Sequence, residues 1–378
     1  MIDFGLTDDQ EALQRSAREF LAAECPPARV RDVAKDGDGV PRDLYKQLGD
    51  LGWMSLLVPE KLGGLGLGAL ELALVAEELG RVAAPGPFLA TQLVIAALVK
   101  GGTKAQQQAW LPRLMAGELF AALAYIEESD WQDPDGIQCA AKKARDGWTL
   151  NGAKTFVLEG TGADVLLIAA RTKAGKNGAG VSLFLVERAQ KGVTSTTIDS
   201  LDLTRRFAEV RLKNVTVPKA ALVGKEHQGW ALLERLLDLA CVGIAADSVG
   251  GAAKTLQMAV EYAHVREQFG RKIGSFQSVK HIAAEMAADV EPSRSLVWYA
   301  AWAWDHRPKE AARMAAMAKA SLGDIYSRTA RRSVEIHGGI GFTWEFDLQL
   351  WFKRAHVSEL LFGDPAFHRE RLATLDGW

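Results

Sequence analysis

The chain has 378 residues, too many for one ordinary hydrophobic core and enough for two or three packed units. Apolar residues make up 48% and charged residues 24%, the balance of a globular protein rather than a disordered one. Lys and Arg total 45 against 47 Asp and Glu, a net charge of −2, which leaves no footprint for a nucleic-acid partner and no polybasic membrane signal.

At the N-terminus Met1-Ile2-Asp3-Phe4-Gly5 has neither a basic stretch nor an apolar one, which predicts no secretion and a cytoplasmic location. No uninterrupted apolar run reaches the ~18 residues of a membrane span. From Thr7 to about Leu119 the pattern is helical. Thr7 and Gln10 have the spacing of a capping box, and Leu13, Ala17, Phe20 and Leu21 follow at helical intervals. A second run, Leu70–Leu79, is rich in helix-favouring Ala, Leu and Glu. Between the two, Lys61-Leu-Gly-Gly-Leu-Gly-Leu-Gly68 has the wrong spacing for a dinucleotide fingerprint and reads as a loop entering the helix.

From about Phe120 to Val223 the texture turns to short β-favouring runs: Asp164–Ala170, Val181–Val186 and Val210–Val217. Turn-forming Lys176-Asn177-Gly178 and Lys213-Asn214 separate them, and Asn151-Gly152 is the strongest hairpin signal in the chain. This predicts an antiparallel β-domain. From Gly229 onward helices return, over roughly 230–266, 277–304, 309–336 and 346–362, with Ala311, Met314, Met317 and Ala318 as packing residues. The expected fold class is α+β. Residues 1–119 form a helical domain, 120–226 a middle antiparallel β-domain, and 227–378 a C-terminal four-helix bundle. The bundle makes an oligomer interface to which Leu296, Val297, Trp298 and Trp302 contribute.

Cys25, Cys139 and Cys241 are too dispersed for a disulfide framework or a zinc site, and the seven histidines form no metal-binding pair. Two segments carry more chemistry. In Arg266-Glu-Gln-Phe-Gly-Arg-Lys-Ile-Gly-Ser-Phe-Gln277 an arginine fork, an aromatic ring and a helix start suit a phosphate with an adenine. The same residues also read as a solvated basic turn. In Glu335-Ile-His-Gly-Gly-Ile-Gly-Phe-Thr-Trp-Glu345, Gly338 and Gly339 either admit a ligand to the backbone or end a helix.

The co-occurrence of the α-β-α layout with these two segments resembles the acyl-CoA dehydrogenase family. Further matches are Val58-Pro-Glu-Lys-Leu-Gly-Gly, Gly147-Trp-Thr-Leu-Asn-Gly-Ala-Lys154, Arg211-Leu-Lys-Asn-Val-Thr-Val-Pro218 and Leu237-Asp-Leu. The resemblance covers nearly the whole chain. It implies a flavoenzyme that holds FAD across a subunit interface and desaturates an acyl-CoA thioester, with the substrate between the β-domain and the bundle.

By that resemblance, Arg266, Phe269 and Gln277 reach a neighbour's FAD diphosphate and adenosine, and so do Gly338 and Gly339. Glu335 replaces the family's usual Gln, an anion where an amide is expected. The family's base belongs in a Tyr-Glu-Gly segment, which here reads Phe362-Gly363-Asp364, so the base position is Gly363. The alternative station, after Leu237-Asp238-Leu239, is Ala240. Neither glycine nor alanine can take a proton, and a missing base costs ~10²–10⁴ in rate. Asp364 is the candidate substitute, or a helix-end carboxylate. Glu234 and Asp238 are weaker candidates, since each points away from the direction of Ala240 on the helix.

The flavin-facing positions also depart from the family. Ile126 stands where a Thr is usual, Phe156-Val157-Leu158 replaces Trp-Ile-Thr, and Pro365 replaces a Thr. For the nearby Ser, Ser129 and Gln132 both fit, with different gaps. Retained adenosine-side residues beside altered ring-side ones imply a subunit of a heteromeric assembly, whose related partner supplies the ring pocket and the base. The rival expectations are a stand-alone dehydrogenase using Asp364 and a non-catalytic acyl-CoA-binding scaffold.

Overall fold

The computed structural model describes residues 5–35, 37–128 and 134–378. Ser129 and Gln132 lie outside them. The chain opens with α1 (Asp8–Glu24), α2 (Pro27–Lys35), α3 (Arg42–Asp50), α4 (Ala69–Arg81), α5 (Phe88–Gly101) and α6 (Lys104–Met115). The expected capping box starts α1: Thr7 Oγ1 accepts from the Gln10 amide, and the Gln10 side chain accepts from Thr7 N. Thr103 and Gln106 repeat the device at α6. The glycine-rich stretch is a loop into α4, where Glu71 accepts from Gly68 N at 2.8 Å.

Among the described residues eight strands follow: β1 (Ala121–Ala124), β2 (Ala140–Ala144), β3 (Gly147–Leu158), β4 (Val165–Arg171), β5 (Val181–Glu187), β6 (Val193–Ile198), β7 (Phe207–Pro218) and β8 (Leu222–Val223). They form one sheet in the order β6-β7-β3-β2-β4-β5-β8, with β1 beside β4. Most of the ladder is antiparallel. β1 joins β4 in parallel, and so does a single bridge of β2. Asn151-Gly152 is not a hairpin turn. It lies inside β3, at a register shift against Lys213-Asn214 of β7, where Asn214 has φ +52° and its N–H donates to Asn151 Oδ1. The two signals form one bulge, because residues that tolerate positive φ serve an inserted residue as well as a chain reversal. The β2–β3 reversal falls at Arg145-Asp146 instead.

The C-terminal part is α7 (Gly229–Val265), a small hairpin of β9 (Glu267–Gln268) and β10 (Arg271–Lys272), then α8 (Gln277–His306), α9 (Pro308–His337), α10 (Leu348–Leu360) and α11 (Pro365–Leu375). α11 was not expected from the sequence. Its Asp364-Pro365 start is an N-cap followed by proline at the first helical position, a helix start rather than a break. α7 is long and apolar enough to cross a membrane by composition, yet it is the buried axis of the fold, packed by α4, α5, α8, α9 and α10. At Gly80 and Gly250 the α4 and α7 backbones touch: a Cβ on Gly250 would sit 1.7 Å from Glu77 O. One apolar core runs through the N-terminal helices, one face of the sheet and the bundle. A second, around Trp148, Phe184 and Val210, covers the sheet's other face.

Candidate functional site

The C-terminal loop between α10 and α11 holds Phe362, Gly363 and Asp364. Gly363 has φ +101°, and a Cβ there would lie 2.5 Å from Phe367 Cδ1 and 2.9 Å from His368 Nε2. Only glycine fits that conformation and that space. The buried Lys319 ammonium donates to Gly363 O at 2.7 Å and Glu359 O at 2.9 Å, which ties the loop to α9. Burial pulls Lys319 down to about 8. His368 Nε2–H donates to Phe362 O at 2.9 Å, and burial followed by the Lys319 charge lowers His368 to about 4. Asp364 Oδ1 accepts from Phe367 N at 2.7 Å, so the carboxylate is the N-cap of α11.

On the facing stretch of α7, Ala240 is fully buried. Its neighbour Cys241 has Sγ 3.7 Å from His368 Nε2, and burial pushes its thiol up to about 12, the state of an inert core cysteine. Asp238 pairs with Arg371 of α11 at 2.7 Å. Glu234 is exposed on the outer side of α7. Of the five positions considered for the base, Gly363 and Ala240 carry no carboxylate, Asp364 caps α11, Asp238 is paired with Arg371, and Glu234 is exposed.

Ile126 and Phe156 line a cavity of about 140 Å³ with Ile198, Phe207, Leu360 and Phe362. Leu158 is buried two residues past Phe156. This wall is apolar, with Asp199 and Ser200 at its margin. The strand ends are held by a buried pair: Lys154 Nζ donates to Glu127 Oε1 at 2.6 Å and to Tyr125 O at 3.2 Å, and Glu127 accepts from Cys139 N.

Behind that wall the three parts of the chain meet on a buried ion cluster. Arg354 of α10 donates through Nε and Nη2 to Asp247 of α7 at 3.0 and 2.5 Å. Arg205, before β7, donates to Asp247 at 2.8 Å and to Asp202 at 3.3 Å. Arg354 Nη1 also reaches Ala84 O beyond α4 and Thr204 Oγ1. Burial alone would raise Asp247, but Arg354 and Arg205 outweigh it and hold the carboxyl below its usual range. Arg205 is therefore structural. Its neighbour Arg206 donates to Ala34 O and Leu203 O.

Glu159 faces the same space. It has φ +58°, its Oε1 accepts from Arg206 N, and its Oε2 is buried without a protein partner. Burial pushes its carboxyl up to about 8. Sequence reading missed Glu159, Asp247, Lys319 and Arg354. The available signal was a charged residue inside an otherwise apolar stretch: Asp247 within Ala240–Ala253, and Lys319 among alanines.

The other predicted residues sit at the far end of the bundle. Arg266, Phe269 and Gln277 are exposed around the β9–β10 hairpin and the first turn of α8, and Phe269 is 92% exposed. Glu335, Gly338 and Gly339 are exposed at the end of α9. The two segments share that end: Ile336 packs with Ala263 and Ile273, and His337 stacks on Tyr262 at 4.5 Å. Positions 338 and 339 have open space where a Cβ would project, and Gly338 has φ +65°. Gln277 offers the first backbone N–H of a 30-residue helix, a donor end suited to a diphosphate. Among the described residues, no three His, Cys, Asp or Glu side chains are grouped to hold a metal ion.

Trp298 and Trp302, expected at an oligomer interface, line grooves between α1 and α8, while Val297 is buried within the chain.

Sequence profiles match along almost the whole chain: the acyl-CoA dehydrogenase N-terminal domain at residues 7–118, the middle domain at 122–215 and the C-terminal domain at 227–374. An acyl-CoA dehydrogenase of Bacillus subtilis is 30% identical, over 96% of this chain and 97% of its own length. Among solved structures, butyryl-CoA dehydrogenase from Megasphaera elsdenii superposes with a TM-score of 0.92 at 29% identity, covering 99% of both chains. A chain of the ChsE4-ChsE5 complex from Mycobacterium tuberculosis does so at 0.89 and 29% identity, covering 99% of this chain and 98% of the other.

Proposed function

The chain belongs to the acyl-CoA dehydrogenase family, and we propose that it is one subunit of an FAD-dependent acyl-CoA dehydrogenase whose related partner supplies the carboxylate base. The reaction is α,β-desaturation of an acyl-CoA thioester. Bound FAD accepts the hydride in that chemistry. The proton from the α-carbon needs a separate acceptor, ionised and within hydrogen-bond reach.

The observation that carries the reading is the C-terminal loop. The space a side chain at 363 would need is filled by Phe367 and His368, and Asp364, the carboxylate next to it in the chain, caps α11 through Oδ1. That capping role counts against the stand-alone reading through Asp364. At the other end of the bundle, Arg266, Phe269, Gln277, Gly338 and Gly339 fit the adenosine and diphosphate half of FAD. They supply a guanidinium, an exposed ring, a helix N-terminus and two positions without a Cβ. Glu335 can turn to solvent there, which removes its repulsion from a diphosphate. The similarity to the ChsE4-ChsE5 complex supports a heteromeric arrangement.

Purification of the chain alone and co-expressed with its related subunit tests the assembly. The expected result is a mixed oligomer carrying FAD, with the lone chain poor in FAD. A lone chain that forms a fully flavinated oligomer would overturn it. A colourless mixed oligomer would instead favour a scaffold.

A further inference from the structure

Between α5 and α7 lies a partly open space whose walls suit a hydrocarbon: Leu79, Phe88 and Leu89 on one side, Ile244 on the other. Leu158 of the sheet lines it, and Gly243 and Ile244 put it one helical turn along α7 from Ala240, so on the reading above a thioester's tail would point this way. Yet its volume is only about 40 Å³, room for about three water molecules. Two sets of side chains take up the rest. Leu89 lies on Gly243, so close that a Cβ on that residue would be 2.5 Å from Leu89 Cδ1. From the opposite side Glu159, Arg205, Asp247 and Arg354 project inward, each at most 7% exposed.

We propose that this chain has closed its own acyl pocket: Leu89, Glu159 and the Arg205–Asp247–Arg354 cluster stand in the space of the tail, so that acyl recognition falls to another subunit. The inference rests on the reading above in taking an acyl-CoA as the ligand, but it concerns binding and not proton transfer. A tail entering this space meets two obstacles. It must displace arginines that are hydrogen-bonded to the buried Asp247 carboxylate and, for Arg354, to Ala84 O, which leaves a buried charge without its partner. It must also press methylenes against Glu159 Oε2, a buried polar atom without a hydrogen-bond partner in the protein. Small apolar residues such as Ala84 and Ala90 leave the wall shaped for a chain, while the floor is occupied.

Isothermal titration of the purified full chain with CoA, acetyl-CoA, butanoyl-CoA and octanoyl-CoA tests this. The expected result is a flat series, with affinities within about twofold of one another or without measurable heat throughout. Each methylene buried in an open pocket would raise affinity by about fourfold. A steady rise of that size from acetyl to octanoyl would overturn the proposal. Leu89→Ala/Glu159→Ala removes the two plugging side chains outside the ion cluster. Once a cooperative melt has shown that it folds, this variant is expected to gain at least about tenfold between acetyl- and octanoyl-CoA. A flat series in the folded variant would overturn the assignment of these residues. Turnover enters neither titration, so a rising series in a chain that catalyses nothing would reject the closed pocket and leave the missing base untouched.

Discussion

The ammonium of Lys319 and the carbonyl oxygen of Gly363 lie 2.7 Å apart, a buried hydrogen bond from the middle of α9 to the loop before α11. With His368 bonded to the carbonyl of Phe362, it fixes two successive peptide groups of that loop. The loop is therefore a finished structural turn rather than a vacated one. Its glycine is required by a φ of +101° and by the rings packed over it.

Restoring a glutamate at this position should fail for that reason. Gly363→Glu must adopt a conformation costing about 1–3 kcal/mol and displace Phe367 and His368 at a further cost of about 1–3 kcal/mol. The expected outcome is a clear loss in urea-denaturation stability and no gain in dehydrogenation by the isolated chain. A stable, active Gly363→Glu protein would show that the loop is permissive.

Asp364 offers a cleaner separation of roles. As the N-cap of α11, its replacement by alanine should cost about 1 kcal/mol, and replacement by asparagine much less. Neither should change turnover of the assembled enzyme, measured at saturating substrate. If Asp364→Asn keeps its stability and abolishes turnover, the aspartate is the base after all.

The ion cluster joins the N-terminal helices, the sheet and the bundle through Asp247. Asp247→Ala leaves Arg205 and Arg354 buried without their shared carboxylate, a loss of about 3–5 kcal/mol. Chemical denaturation reads this directly. A change below about 1 kcal/mol, the scale of an exposed pair, would mean that the arginines find water there.

Glu159 gives a pH dependence of known sign. Its folded value of about 8 lies above its ordinary 4.5, so the folded chain keeps a proton that the unfolded chain has released. Between those values rising pH favours the unfolded state, and the contribution of Glu159 is fully present only at the acid end. Glu159→Gln cannot titrate. Melting temperatures of the variant and the parent should therefore diverge in the variant's favour as pH rises from about 5 to 8. Parallel curves would contradict the buried, protonated state.

How much of this was legible in the sequence varied with the kind of signal. Local chemistry read well: Thr7 and Gln10 cap α1 as their spacing predicts, and Ala17 and Leu21 face the core. Asn151-Gly152 misled, because the same φ tolerance serves a bulge and a turn, and only the partner strand decides between them. Asp364 carries two expectations, a substitute base and a helix-end carboxylate, and the structure places it at the start of α11, a helix the sequence pattern does not reveal. The buried cluster was invisible for a different reason. Asp202, Arg205, Asp247 and Arg354 come from three separate stretches, and no one-dimensional pattern reveals that their charges cancel. Glu159 follows directly on β3, and nothing in its local sequence marks it as buried. Its burial depends on Arg206 and on α7 and α10, which arrive much later in the chain.

The most direct test of the missing base is anaerobic mixing of an acyl-CoA with FAD-loaded protein, following the bleaching of the flavin. The isolated chain, reconstituted with FAD, should bleach at least ~10²-fold more slowly than the assembly with its related subunit, the scale of a lost general base. Equal rates from the isolated chain and the assembly would contradict the account.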